Sequence, residues 1–127
     1  MRTGGWPYVV KRNDWRVLVE EYSTAPAWTT PISHIASSVA SSGRSDDLLF
    51  ATSGWDLIVT PSPVGEPPID VVAVRGANGS AQIPEVHIVI EHMPLVGIAD
   101  RIERPADEAV SLFWRFMIEK YGIAPQR

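Results

Sequence analysis

The sequence predicts a single α+β domain in which an antiparallel β-sheet of about five to seven strands is covered on one face by two helices. Short apolar segments follow one another in the middle of the chain and are joined by turn residues, which is typical of antiparallel strands. Two other segments, 31–42 and 105–121, have the periodicity of amphipathic helices. The 127 residues, of which 45% are hydrophobic, are enough for one core. We therefore expect one domain spanning residues 1–127.

The best-marked element is the helix predicted over residues 105–121. Pro105 suits the first position of a helix, and Asp107 and Glu108 place negative charge near its positive end. Gly122 is expected to end the helix in the left-handed conformation. One face of the helix is apolar and consists of Ala109, Leu112, Phe113, Phe116 and Met117.

Val110, Trp114 and Tyr121 lie beside this face and make it wider than one sheet requires. Such residues usually belong to the core, but tryptophan and tyrosine also anchor many protein interfaces. We therefore consider Trp114 and Tyr121 as candidate partner-binding residues.

The strands are predicted from shorter patterns. Residues 8–10 and 15–22 are expected to form a hairpin, because apolar and polar residues alternate in the second segment. Residues 48–52 and 55–60, joined by Ser53-Gly54, form a second hairpin, and we expect both to be central strands. Residues 69–75 and 86–92 form a further antiparallel pair. The four prolines of residues 61–68 predict a surface loop, and residues 93–103 form either a last short strand or an irregular approach to the helix.

Composition excludes several function classes. The net charge of −4 and the pI near 5.3 argue against a nucleic-acid partner. The chain has no cysteine, and no apolar run approaches the roughly 20 residues that span a membrane, so we expect a cytoplasmic protein without membrane association. Acidic pairs, which suit either a basic protein partner or solubility alone, occur at Glu20-Glu21, Asp46-Asp47 and Asp107-Glu108.

No catalytic residue, cofactor or metal is predicted. The glycine motifs of dinucleotide and phosphate-binding loops are missing, as is the paired-histidine zinc motif. Glu85, His87 and Glu91 share one face of a predicted strand and could offer ligands to a metal, but a single strand lets them converge poorly. We therefore expect a solvated strand face there. A pocket between sheet and helices, for a small ligand or a substrate, is an alternative, and its candidate lining residues are Tyr22, Trp28, Trp55 and His92.

The C-terminal third resembles small actinobacterial immunity proteins that neutralise polymorphic secreted toxins. The resemblance covers roughly residues 86–126 and is carried by Arg104-Pro105-Ala106-Asp107-Glu108, Phe113, Phe116 and the tail 122–125. It implies a cytoplasmic, non-enzymatic protein that blocks one cognate toxin by covering its active site or substrate surface. The alternatives are a small ligand-binding protein or enzyme, and a structural subunit of a phage or other assembly that self-associates as a homo-oligomer.

Overall fold

The computed structural model describes residues 4–77 and 86–126. The elements in chain order are α1 (Trp15–Tyr22), α2 (Thr30–Ala40), β1 (Leu48–Ser53), β2 (Asp56–Pro61), β3 (Val71–Arg75), β4 (His87–Met93), β5 (Asp100–Pro105) and α3 (Ala109–Tyr121). Short 3-10 turns, Ala27–Thr29 and Ala106–Glu108, precede α2 and α3. The predicted α+β class is confirmed, although the described residues form three helices and not two.

The five strands form one sheet in the order β1-β2-β3-β4-β5, and every neighbouring pair is antiparallel. The hairpin at Ser53-Gly54 is confirmed, with Gly54 at a φ of 61° that suits a tight turn. The pairing of β3 with β4 is also confirmed, and residues 93–103 contain the first four residues of β5. The prediction that residues 48–52 form a central strand is wrong, because β1 lies at the edge of the sheet. Within the described residues, its outer side is paired only locally, by a bridge between Arg12 and Phe50.

The predicted strand over residues 15–22, and with it the first hairpin, is wrong. This segment is α1, because its buried residues Trp15, Leu18 and Tyr22 are spaced by three and four positions. The indole nitrogen of Trp15 donates a hydrogen bond to the Leu48 carbonyl at 2.9 Å, which fixes α1 on the sheet. An eight-residue segment of mixed polarity fits both the period of a strand and the period of a helix. Burial of Trp15 favours the helix.

The two predicted helices are present with shifted starts. α2 begins at Thr30, and α3 begins at Ala109, four residues after Pro105. Pro105 instead ends β5 in an extended conformation, and the Ala106 N–H donates to the Val86 carbonyl at 2.6 Å. Strand pairing thus continues past Pro105, and α3 therefore begins later in the chain than predicted. Gly122 ends α3 with a φ of 68°, as predicted.

The two faces of the sheet are covered differently. All three helices pack on the first face over a cluster that includes Phe50, Val72, Ile90, Phe113 and Phe116. The second face carries a smaller cluster formed by Val10, Ile58, Ile69, Val71 and Ala73. Residues 5–12 cross part of this face, held at one end by backbone bonds between Trp6 and Ile69. None of the helices described is long and apolar enough to cross a membrane.

Candidate functional site

An open cleft of about 290 Å³ lies at the end of the sheet where β2 stops and β3 begins. The loop of residues 61–68 forms much of its wall, because prolines fix the backbone and provide no N–H for strand pairing. Three polar residues, Thr60, Glu66 and Asp70, also line the cleft, together with the apolar residues Pro61, Pro63, Val64, Pro68, Ile69 and Leu95. The cleft therefore combines apolar walls with two carboxylates.

Asp70 is held in place by two neighbours. The Tyr121 hydroxyl donates to its Oδ1 at 2.7 Å, and His92 Nε2 lies 2.8 Å from the same oxygen. The backbone carbonyl of Asp70 accepts a further bond from the Thr60 hydroxyl at 2.7 Å. Tyr121 comes from α3 and His92 from β4, so this cluster joins the end of α3 to the sheet. The Asp70 side chain remains 37% exposed, and its carboxylate can therefore still contact a ligand.

Within this cluster Tyr121 acts as a hydrogen-bond donor and not as a nucleophile. Burial raises the pKa of the Tyr121 hydroxyl above its ordinary value, and its hydrogen bond to Asp70 and the negative charge there raise it further. The hydroxyl therefore stays protonated at neutral pH and acts as a donor. Its effect is to orient the Asp70 carboxylate beside the cleft.

Leu95, an exposed apolar residue, lines this cleft, and further exposed apolar residues occur in the segments next to it. Of the nine large apolar residues exposed in the described chain, five occur in two segments that meet here. We call these five residues the apolar end surface: Tyr8, Val9, Leu95, Val96 and Ile98. Val96 and Ile98 are 75% and 73% exposed in the loop between β4 and β5.

Direct contacts connect the two segments. Leu95 lines the cleft and also lies against Gly5, since a Cβ on Gly5 would come within 2.9 Å of the Leu95 side chain. The Tyr8 ring packs edge-on against Trp6, with centroids 5.6 Å apart, and Trp6 is paired to Ile69. Gly5 has a φ of 83° and no side chain, which allows residues 5–12 to lie this close to the sheet.

The predicted partner residues of α3 lie in different environments. Trp114 is only 7% exposed, and its indole nitrogen donates to the Ser38 hydroxyl of α2 at 2.8 Å. It is thus a contact between two helices and not an exposed anchor. Tyr121 belongs to the Asp70 cluster. Asp107 and Glu108 are exposed in the 3-10 turn that precedes α3.

The acidic pair of α1 is partly neutralised. Glu20 is exposed, whereas Glu21 accepts a bond from the Arg12 guanidinium at 2.9 Å. The same guanidinium lies 2.9 Å from Asp14, and this contact holds the pKa of the Asp14 carboxyl below its ordinary value. Arg12 therefore balances part of the negative charge on this side of α1.

In the pair before β1, Asp47 has a cationic partner and Asp46 contacts a neutral amide. The Asp47 carboxylate lies 3.2 Å from Arg44, and Asp46 accepts a long bond of 3.5 Å from Asn13. Asn13 adjoins Arg12, so the structure brings the first two acidic pairs to one side of the molecule. The Ser62 N–H donates to the Asp47 carbonyl at 2.8 Å, so the second pair also lies next to the proline loop that forms the wall of the cleft.

Three of the four residues predicted to line one pocket lie at the same end of the sheet, and His92 lies apart from them. The Tyr22 hydroxyl donates to the Trp55 carbonyl at 3.0 Å, and their rings are 5.6 Å apart, next to the turn between β1 and β2. Burial, more than the nearby acidic charges, raises the pKa of Tyr22. Trp28 packs against Gly76, just after β3. His92 lies near the opposite end of the sheet, so it does not join the other three.

Two features of the site are missing from the sequence prediction. Asp70 follows the proline loop, and in the sequence it looks like the start of an apolar strand. Only its contacts with His92 and Tyr121 in the structure identify it as a residue of the site. The apolar residues Leu95, Val96 and Ile98 surround Gly97 in residues 93–103, which the sequence predicts as a short strand or an irregular approach to the helix. Several large apolar residues in such a segment are a signal that could have indicated an exposed surface.

The part of the chain that the structure describes contains no group of three or more residues able to hold a metal ion. His87 is bonded to Glu103 at 2.5 Å, and Glu91 to Arg75 at 2.5 Å. Glu85 lies outside the described residues. Two of the three residues considered as metal ligands thus have other partners.

Comparison of the chain with protein-family models, with curated proteins and with solved structures gives no match. The geometry of the apolar end surface and of the cleft is therefore the basis for a functional proposal.

Proposed function

We propose that the protein is a non-enzymatic inhibitor that binds one cationic protein partner through the apolar end surface and the adjoining cleft. The most specific form of this proposal is an immunity protein that neutralises a cognate toxin in the cytoplasm. The observation that carries it is the concentration of exposed apolar residues in two segments that adjoin a cleft lined by Glu66 and Asp70.

The chemistry of this surface suits a protein partner. Apolar residues such as Val96 and Ile98 lose contact with water when a partner covers them, at roughly 25 cal/mol per Å² of buried apolar area. Interfaces commonly have such an apolar centre and a polar rim. Tyr8, an aromatic residue at the edge of the surface, is of the type that often anchors an interface.

The cleft fits a lysine or arginine side chain of that partner. The aliphatic stem of such a residue can pack on the proline walls while its charged end meets Asp70 and Glu66. Tyr121 and His92 hold the Asp70 carboxylate in one position, which reduces the entropy lost on binding. The net charge of −4 adds long-range attraction for a basic partner.

The test is protection of cells from a toxin encoded next to the gene, measured together with the affinity of the purified pair. The variant carries Val96→Asp and Ile98→Asp, and the matched control carries Val17→Asp, at an exposed valine of α1 outside the end surface. Wild type and control should protect, whereas the double variant should bind at least about 100-fold more weakly, as expected for an interface centre. Equal protection by all three proteins would refute the proposed surface.

The charge component is tested separately. Asp70→Asn should slow association with the partner at low salt, and the difference from wild type should shrink as salt shortens the Debye length from about 10 Å at 0.1 M to about 3 Å at 1 M. The exposed pair Asp107 and Glu108 provides a comparison, because their replacement by Asn and Gln tests long-range attraction alone. An association rate indifferent to salt in every protein would remove the electrostatic part of the proposal.

A small organic cation is a second candidate ligand, favoured by the size of the cleft. Its volume of about 290 Å³ approaches the range of small-molecule sites. A ligand at 100 times its dissociation constant would raise the free energy of unfolding by about 2.7 kcal/mol. A thermal-shift screen with amines and guanidines, repeated on Asp70→Asn, distinguishes this candidate: a shift in wild type alone supports it.

A further inference from the structure

The two edges of the sheet are not equivalent. The outer edge of β1 is partly covered, because the Phe50 N–H donates to the Arg12 carbonyl at 2.7 Å and the Arg12 N–H donates back at 3.3 Å. β5 is the last strand at the other edge, and no strand lies beyond it in residues 4–77 and 86–126. An open edge is a template for pairing with another strand.

The backbone groups that face outward from β5 can be identified. The β4–β5 register places His87 opposite Pro105, so Val86 is opposite Ala106, and the bond between these two marks a hydrogen-bonded pair. Hydrogen-bonded pairs alternate along an antiparallel ladder, which means that every second residue of β5 bonds to β4. The residues that bond to β4 are Asp100, Ile102 and Arg104.

Arg101 and Glu103 therefore direct their N–H and C=O groups away from β4. One contact is consistent with this assignment: the Arg104 side chain donates to the Glu103 carbonyl at 3.0 Å. Pro105 follows in the same outward series and has no N–H. The outward ladder thus contains two complete residues and ends at a proline.

The side-chain charges of this edge are self-complementary. The sequence Asp100-Arg101-Ile102-Glu103-Arg104 alternates in sign around a central isoleucine. Suppose that a second copy pairs antiparallel with Ile102 opposite Ile102. Each Asp100 then faces an Arg104 of the other copy, and each Arg101 faces a Glu103. Shifting the centre by one residue places Arg101 opposite Arg101 or Glu103 opposite Glu103, which is repulsive.

We propose that β5 is a dimerisation edge and that its partner is a second copy of this chain, paired about a two-fold axis at Ile102. In this register Arg101 and Glu103 exchange backbone hydrogen bonds with Glu103 and Arg101 of the other copy, and the two sheets become one continuous sheet. Such a contact is closed and isologous, so it stops at the dimer. The alternating charges exclude other registers and thereby limit aggregation through the same edge.

The helices leave room for this arrangement. α3 packs over β4, and three strand spacings separate the two β4 strands, which gives about 14 Å between the α3 axes. Packed helices approach to about 8–10 Å, so the helices do not collide and long side chains can meet between them. Arg104 and Arg115 line one small cleft, which places that side of α3 toward β5. Ile118 lies on the same side at helical spacing and is 51% exposed.

The experiment measures the mass of the purified protein, without any partner, by sedimentation equilibrium. Wild type is expected to show a concentration-dependent species of twice the 14.0 kDa chain mass. Arg101→Glu and Glu103→Arg each place like charges opposite one another, so each should raise the dimer dissociation constant at least about 10-fold. A charge reversal at the exposed Glu20 of α1 serves as the control and should leave the dimer unchanged.

The decisive experiment mixes the two charge-reversal variants, Arg101→Glu and Glu103→Arg. An equimolar mixture places two glutamates opposite two arginines, and it should restore a dimer of one copy each. Glu103→Pro tests the backbone directly, because it removes an outward N–H that β4 does not use, and it should give a folded monomer by circular dichroism. A monomeric wild type, a mixture that does not associate, or a dimer unaffected by Glu103→Pro would each overturn the proposal. These results do not depend on the toxin or on the apolar end surface, so they are independent of the proposed function.

Discussion

The first face of the sheet is covered by three helices, whereas the second is covered in part by an extended segment and a proline loop. On the first face large side chains interdigitate, and even the polar atoms of Trp15 and Trp114 have partners. On the second face the buried cluster is small, and its covering segments expose Tyr8, Val9 and Leu95. We infer that the first face provides most of the stability and that the segments over the second face provide the binding surface.

The largest expected effect tests the helix-covered face. Phe113 is fully buried between α3 and the sheet, and Phe113→Ala should lower the free energy of unfolding by about 3–5 kcal/mol, because it removes apolar contacts and leaves a cavity. Urea unfolding monitored by tryptophan fluorescence measures the loss. A change below about 1 kcal/mol would contradict the assignment of stability to this face.

A smaller effect is expected where residues 5–12 join the second face. A Cβ on Gly5 would lie 2.7 Å from the Ile69 carbonyl oxygen, at a φ of 83°, so Gly5→Ala should cost about 2–4 kcal/mol through strain and overlap. Gly4 is a matched control, since its φ of 69° is also left-handed but its Cβ would meet nothing within 4 Å. Gly4→Ala should cost only about 1 kcal/mol. Equal costs would show that the segment is not closely packed on Ile69.

The Asp70 cluster connects the two regions and should have a moderate effect. Tyr121→Phe removes the hydrogen bond to Asp70 and should cost about 1–2 kcal/mol at neutral pH. Tyr8→Phe, at an exposed tyrosine, is the control and should leave the free energy of unfolding at neutral pH unchanged.

The pH dependence follows from the raised pKa of Tyr121. A folded-state pKa above the unfolded value of about 10 means that its stabilising contribution is complete below pH 10 and is lost as pH rises toward the folded-state pKa. The buried Tyr22 contributes in the same direction. Wild type should therefore lose stability above pH 10, and Tyr121→Phe should lose less over the same interval. An equally steep decline in both proteins would contradict the role given to this hydroxyl.

The success of the sequence predictions depends on whether the signal for a feature is local. Long patterns such as that of α3, and turn chemistry such as Ser53-Gly54, predict elements correctly because their signals are local. α1 has eight residues, and its alternation fits a strand until the burial of Trp15 against Leu48 decides for a helix. The cluster of Asp70, His92 and Tyr121 joins residues distant in sequence, and only the sheet register brings them together. Local patterns carry no such information.

The smallest expected effect on stability is at the apolar end surface, and a pair of valines shows it most directly. Val96 is 75% exposed, so Val96→Ala should change the free energy of unfolding by less than about 0.5 kcal/mol. Val72, in the sheet core, has the same side chain fully buried, and Val72→Ala should cost about 1–3 kcal/mol. Urea midpoints of the two variants give the comparison. Binding should show the reverse order, because Val96 is positioned to contact a partner and Val72 is not. A destabilising Val96→Ala would mean that the loop between β4 and β5 is packed as core, and the proposed binding surface would then have to be abandoned.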